Sequence, residues 1–336
     1  MAGETPTVSV ALCTHDGAEF VAAQLASIVA QTLPPSEIVL SDDASIDSTV
    51  WIVEEAITLA NATRAIPLRL VVLHNPVALG VAKNFEQAIA ACSGDLVALS
   101  DQDDLWRPDR LALIVGIFAE RPELDLLHSD AVLIDAVGIP LDSSLFESLE
   151  ISEATRADVH GGRSFDVFMR RNIATGATMV FRRSLFDRAV PFADGWVHDE
   201  WLAIVAAAFG GLDLTESRLI RYRQHGSNQI GVEQLGIVGR IGRMLEPGRT
   251  RNERLLVRAT SLEARLRDRM EELPPERHAA AVAKLEHERV RSGLSVHRVL
   301  RVTAVVRELR TGRYSRFGRG SADAVRDLLQ PLGRPR

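Results

Sequence analysis

Short apolar runs alternate with amphipathic stretches along the first hundred residues. Segments 7–14 (TVSVALCT), 37–40, 68–73 and 96–99 are apolar runs of strand length, the pattern of strands covered on both faces. Between them, segments 19–31, 46–59 and 81–92 repeat apolar residues at helical spacing, as Phe20, Ala23, Leu25, Ile28 and Val29 do. This alternation predicts βαβ units and a mostly parallel central sheet flanked by helices, an α/β fold. Further on, 125–134 and 178–183 read as strands, 199–209 as a strongly apolar helix, and 212–223 as one or two strands. From about Val238 the pattern turns helical and charged, over 253–273, 275–292 and 296–310. The chain therefore divides into an α/β unit over 1–235 and a helical appendage over 236–336.

Polar residues gather where such a sheet places its chemistry. Open α/β sheets bind ligands outside the carboxyl ends of their strands. Here those ends carry Thr14-His15-Asp16, then Asp42-Asp43, then Asn75, then Asp101-Gln102-Asp103-Asp104. Four successive strand ends converge on one carboxylate-rich rim.

Charge adds a second division. The net charge of −6 conceals a balance of −17 over residues 1–235 and +11 over 236–336. The basic side is almost wholly arginine, with Lys83 and Lys284 as the only lysines. A hydrophobic content of 46% excludes a disordered chain, and two cysteines, Cys13 and Cys92, exclude a disulfide framework. The start, Met-Ala-Gly-Glu-Thr-Pro, lacks a basic and apolar leader, and no apolar run reaches the roughly 18–20 residues of a spanning helix. The expected location is the cytoplasm, or the inner face of the membrane without crossing it.

Asp101 and Asp103 straddle a strand end and project into one cleft. Such hard oxygen ligands suit Mg²⁺ or Mn²⁺ bound together with phosphate oxygens. A lone pair of this spacing is more often a solvated turn. The flanking Leu105 and Trp106 half-bury this one, and three crowded carboxylates ask for a cation. In Asp42-Asp43-Ala44-Ser45-Ile46-Asp47-Ser48-Thr49, Asp47 and Ser48 read as helix caps and Asp43 as a carboxylate free for a ligand. His198-Asp199-Glu200-Trp201 opens a helix, where either acid serves the positive helix end or acts as a general base. His225, in Tyr222-Arg223-Gln224-His225, is a structural histidine or a metal ligand. No Walker A loop and no GxGxxG follows the first strand, so a P-loop or nicotinamide reading has no support.

In this order the motifs resemble family-2 glycosyltransferases of the GT-A-type nucleotide-sugar-binding fold, and among them bacterial rhamnosyltransferase-like members. The resemblance covers about residues 7–230 and includes the HNPVALGVAKNFEQAI stretch and Thr175-Gly176-Ala177-Thr178. It implies an inverting transfer of a sugar, rhamnose from dTDP-rhamnose or a hexose from a UDP-hexose, to a hydroxyl of a cell-surface polysaccharide or lipid-linked saccharide. Donor contacts would come from Thr14, His15, Asp16, Asp43, Asn75, Asn84, Asp101, Gln102 and Gly176. Asp103 and His225 would hold the Mg²⁺ or Mn²⁺. Asp199 would be the base with Glu200 as its rival, and Trp106 and Trp201 would face the acceptor. Many members carry an aromatic pair after the acid where this chain has Glu200-Trp201.

Three other readings compete with it. A dehalogenase-type phosphatase needs a later lysine on its phosphoryl group, and only Lys284 follows Asp103. A nucleotidyltransferase wants a basic glycine loop where this chain has the acidic Thr14-His15-Asp16-Gly17. A silent nucleotide-sugar-binding domain would lack the base carboxylate. In the tail, Arg307, Arg310, Arg313, Arg316 and Arg319 recur every third residue, though Gly312, Gly318 and Gly320 oppose one continuous helix. That spacing suits a peripheral contact with anionic lipid or a lipid diphosphate, or a solvated face laced with Arg–Glu pairs such as Glu263–Arg267. The acidic first part argues against nucleic acid as a partner.

Overall fold

The computed structural model describes residues 5–224 and 248–331. Its centre is strand β1 (Val8–Thr14), buried along its whole length. On one side β1 pairs in parallel with β2 (Glu37–Asp42), and β2 with β3 (Arg69–His74). On the other it pairs in parallel with β4 (Leu96–Ser100). The connecting helices are α1 (Val21–Val29), α2 (Thr49–Asn61) and α3 (Val81–Ala91). Beyond β4 the sheet turns mixed. β5 (Leu105–Trp106), β6 (Leu126–Ile134), β7 (Pro140–Ser144), β8 (Val180–Arg182) and β9 (Leu212–Arg223) complete an order of β3-β2-β1-β4-β8-β6-β9-β5, with β7 on β6. β8 runs antiparallel to β4 and to β6, whereas β9 is parallel to β6.

The period-2 alternation of the strands sorts the core into two layers. Val10 and Leu12 of β1, with Leu96 and Ala98 of β4, face α1, α2 and α4 (Arg110–Glu120). Ala11, Cys13, Val97 and Leu99 face the opposite way, toward α3, α7 (Ser164–Arg170), α8 (Arg183–Ala189) and α9 (His198–Phe209). Both cysteines are buried free thiols, and burial pushes each above its ordinary range. Two short helices, α5 (Leu145–Ser148) and α6 (Glu153–Asp158), lie between β7 and α7.

The C-terminal region is a helical layer: α10 (Gly248–Arg267), α11 (Pro275–Ser292), α12 (Arg298–Arg310), α13 (Arg313–Phe317) and α14 (Ser321–Leu329). Gly312, in a left-handed conformation with φ of 74°, separates α12 from α13, so the arginine repeat is indeed broken. Leu262, Leu266, Leu273, Ala280, Ala281 and Phe317 join the α9 side of the core. Several arginines of this layer bond main-chain carbonyls of the α/β body. Arg265 donates to Arg188, Val190 and Pro191, and Arg277 to Ala207.

Helix α2 begins three residues later than the apolar pattern predicts. Asp47 accepts the Thr49 amide and hydroxyl and the Ala18 amide, which holds 46–48 in a turn, and Ser48 makes no cap bond. Within the same turn Ala44 has φ of 63°, a left-handed conformation costly for a residue with a Cβ. Ala44→Gly is therefore expected to raise unfolding free energy by up to about 1 kcal/mol. A denaturant midpoint at or below the wild type would contradict this.

Candidate functional site

The rim forms because neighbouring strand ends are tied to one another. The Thr14 hydroxyl donates to Asp42 Oδ1 (2.8 Å), and Ser45 donates to Asp42 through its hydroxyl and its amide. Gln102 bridges two strand ends: its Oε1 accepts the His15 amide (2.8 Å) and its Nε2 donates to the His15 carbonyl (3.1 Å). Gly17 lies so close that a Cβ there would sit 2.3 Å from Gln102 Oε1. His15 and Asp16 remain half-exposed on the rim.

Four expected donor contacts are already occupied by the protein. Asp43 accepts the Leu79 and Gly80 amides (2.6 and 2.9 Å) and the Asn75 side-chain amide (3.1 Å), so it is not the free carboxylate the sequence suggests. Asn84 is buried and binds Ser41 through both ends of its amide. Asn75 is buried between Asp43, Asn84 and Gln87. Asn75 and Asn84 brace the β2, β3 and α3 ends from beneath. Thr14 is likewise buried and spends its hydroxyl on Asp42.

The acidic turn after β4 is where carboxylates crowd. Burial, reinforced by Asp103 and Asp199, raises Asp101 to about 7. Asp104 is buried and held well above the usual carboxylate range by burial and its acidic neighbours, with Oδ2 unpartnered among the described residues. Tyr222 is raised by burial and then by the charge of Asp101, Asp104, Asp103 and Asp199. The turn is clamped from β9 by Arg223. Its amide donates to Asp104 Oδ1 (2.9 Å), and its Nε to the Asp103 carbonyl (2.7 Å). Buried Arg110 is the nearby cation. It stacks 3.9 Å from the Trp106 ring and donates to the Ala177 carbonyl. Sequence reasoning missed Arg223 and Arg110. Both stand beside motifs it singled out, and an arginine next to an acid-rich turn was the available signal.

Asp199 reaches this cluster from the first turn of α9. Its Oδ2 accepts the Gly176 amide (3.1 Å), its Oδ1 accepts the Glu200 amide (2.7 Å), and burial raises it to about 6. A Cβ at Gly176 would meet His198 Nε2 at 2.8 Å and Asp199 Cβ at 3.4 Å, so only glycine permits this approach. Glu200 points elsewhere and pairs with Arg258 of α10 (2.9 Å).

Two expected acceptor residues belong to the core instead. Trp201 is fully buried, its indole N–H donates to the Ala189 carbonyl (2.7 Å), and it packs against Trp196. Trp106 is buried beneath Arg110, beside a cavity of about 460 Å³ whose lining includes none of the rim carboxylates. Aromatic side chains next to an acidic motif are as easily core anchors as ligand platforms. His225 lies outside the described residues.

Among the described residues no three His, Cys, Asp or Glu side chains form a protein-only metal centre. A divalent ion shared with phosphate oxygens needs only one or two carboxylates. The crowding of Asp101 and Asp103 suits that kind of joint binding.

His198 stacks on Phe85 with ring centroids 3.9 Å apart, and neither nitrogen has a partner among the described residues. Burial lowers it to about 3. The unfolded chain thus binds a proton that the folded one refuses, and stability falls as pH drops through the window from 6.5 to about 3. His198→Phe removes this liability. Relative to wild type, the variant is expected to gain about 1.4 kcal/mol per pH unit below the ordinary histidine range. A pH-independent difference in urea unfolding would refute the assignment.

The family model described as Glycosyl transferase family 2 matches residues 9–188, more than half of the chain. An uncharacterised glycosyltransferase of Nostoc sp. is 24% identical over 230 residues, and the match spans 66% of each chain. The O-antigen biosynthesis protein RfbC of Myxococcus xanthus is 33% identical over 135 residues, 40% of this chain and 10% of that one. Among solved structures, S. aureus TarS 1-349 in complex with UDP-GlcNAc superposes with a TM-score of 0.52 at 15% identity, over 96% of this chain and 89% of that one. At that identity the likeness is one of fold, and it agrees with the α/β architecture. The strand order, the carboxylate-lined strand ends and the matched segment together place this chain in glycosyl transferase family 2.

Proposed function

We propose that the chain is an inverting glycosyltransferase that moves a sugar from a nucleoside diphosphate sugar to an acceptor hydroxyl. The observation that carries this is that buried Asp199, at the start of α9, acts on the acidic Asp101–Asp103 turn after β4 in a family-2 chain. The His15–Gln102 bridge and Asp43, backed by Asn75 and Asn84, shape the nucleotide side of the cleft. Asp103 and Asp101 are the carboxylates to hold Mg²⁺ or Mn²⁺ with the diphosphate. When bound, the ion offsets the charge that grows on the departing phosphate oxygens.

Asp199 is the base. A carboxylate raised to about 6 is ionised at neutral pH yet basic enough to take a proton from a hydroxyl in the transition state. The amides of Gly176 and Glu200 fix its orientation and leave lone pairs for the acceptor. The acceptor oxygen bonds to the anomeric carbon, the carbon–oxygen bond to the diphosphate breaks, and Asp199 receives the proton. One displacement inverts the anomeric centre. Glu200 is committed to Arg258 and serves the joint with α10.

dTDP-rhamnose is the donor that the sequence resemblance favours, with a UDP-hexose as the alternative. Likeness to a protein named for O-antigen biosynthesis favours a cell-surface saccharide or a lipid-linked saccharide as acceptor. Comparing turnover of dTDP-rhamnose with that of UDP-hexoses separates the two donors. A silent binding domain would bind such donors and turn over none.

Asp199→Asn is expected to keep donor affinity and lose roughly 10²–10⁴-fold in turnover. Glu200→Gln should retain turnover within a few-fold while lowering the melting temperature. Full turnover in Asp199→Asn would remove Asp199 as base. On the acid side, turnover should fall about tenfold per pH unit below about 6, where Asp199 becomes protonated. A flat profile down to pH 5 would contradict an Asp199 that must be ionised.

A further inference from the structure

Helix α12 buries one side and leaves the other without a partner among the described residues. Arg301, Val305 and Glu308 face inward. Arg301 donates to the carbonyls of Ser295, Val296, Asp327 and Gln330, and Glu308 accepts from buried His287. The outward side carries Val299, Val302, Val306 and Leu309, with Val299 at 82% exposure. Positions separated by three, four and three residues fall on one face of an α-helix, so these four side chains form a continuous apolar stripe. At 100° per residue, Arg298 borders one side of the stripe and Arg310 and Arg307 the other.

The charge beside the stripe is of one sign. Residues 298–319 contain seven arginines and one acid, the inward Glu308. Arg301 is used internally, and Arg313 pairs with Glu286 and Glu308. Arg298, Arg307, Arg310, Arg316 and Arg319 have no carboxylate partner among the described residues. No helix of the described residues is long and apolar enough to cross a membrane.

We propose that this face of α12 lies in the interface of an anionic lipid bilayer. The apolar stripe would enter the boundary between headgroups and acyl chains, and the flanking arginines would meet lipid phosphates. A second copy of this chain is the poorer occupant, because a self-complementary contact through the stripe would set arginine rows against arginine rows. This surface does not depend on the proposed transfer reaction and holds whichever sugar donor is used.

The test is sedimentation of the full chain with vesicles of phosphatidylglycerol and phosphatidylcholine, and with phosphatidylcholine alone. Wild type should pellet with the anionic vesicles, remain in solution with the neutral ones, and be released by about 0.5 M salt. Val302→Asp with Val306→Asp should lower partitioning by at least about tenfold with an unchanged melting temperature. Both substitutions are on the exposed stripe, so the fold survives them. Replacing Arg298, Arg307 and Arg310 by serine should weaken binding and flatten its salt dependence. Wild type remaining in solution with anionic vesicles at low salt overturns the proposal. So does equal sedimentation of the aspartate variant. A dimer by light scattering that the aspartate variant abolishes, without vesicle binding by wild type, assigns the face to self-association and also overturns it.

Discussion

Carboxylates held close together repel, and the fold brings four of them into one neighbourhood. Asp101, Asp103 and Asp104 follow one strand, and Asp199 arrives from a helix almost a hundred residues later. Two tethers hold the turn that carries the first three. Gln102 fastens it to the end of β1, and Arg223 reaches across from β9 to Asp103 and Asp104. The Gly176 amide then fixes Asp199. Burial raises both Asp101 and Asp199, and for Asp101 the neighbouring Asp103 and Asp199 add to it.

The two charge bodies of the chain meet at the joint that sets this geometry. Helix α9 carries Asp199 at its start, and α10 packs beside it. Arg258 of α10 pairs with Glu200 and stacks 3.9 Å from Trp196. Trp196 in turn donates to Ser261 (3.0 Å). The helical layer therefore supports the helix that carries Asp199 directly. Its arginines divide into two groups. Those of α10 and α11 close carbonyls of the α/β body, whereas those flanking the outward stripe of α12 face solvent.

Apolar periodicity gave the first four strands to within two residues and their helices to within three, because β1, β2 and β4 are buried along their whole length and read as unbroken runs. It did not give α4, whose start carries buried Arg110, nor the two-residue β5, which is too short to show a period. Motif reading placed the acids that follow β1, β2 and β4 on one rim, since strand order alone sets successive carboxyl ends side by side. It could not tell a ligand-facing polar residue from one consumed by the protein. Asp43, Asn75 and Asn84 are engaged by backbone amides and by each other, and those partners come from separate elements. The two tryptophans failed for the same reason. Their burial depends on Arg110 and on the helices around α9, which sequence spacing does not reveal. Asp199 and Glu200 are neighbours in sequence, and spacing does not reveal that one accepts two backbone amides while the other pairs with Arg258.

The proposed transfer requires the rim to accept a nucleoside diphosphate together with a divalent cation. Calorimetric titration of UDP and dTDP into the full chain near neutral pH, with Mn²⁺ and again with a chelator, tests that most directly. Saturable binding of at least one nucleotide that needs the metal, and that Asp101→Asn with Asp103→Asn abolishes in a folded protein, is the predicted result. No binding of either nucleotide with Mn²⁺, or binding that the double substitution leaves intact, would contradict it.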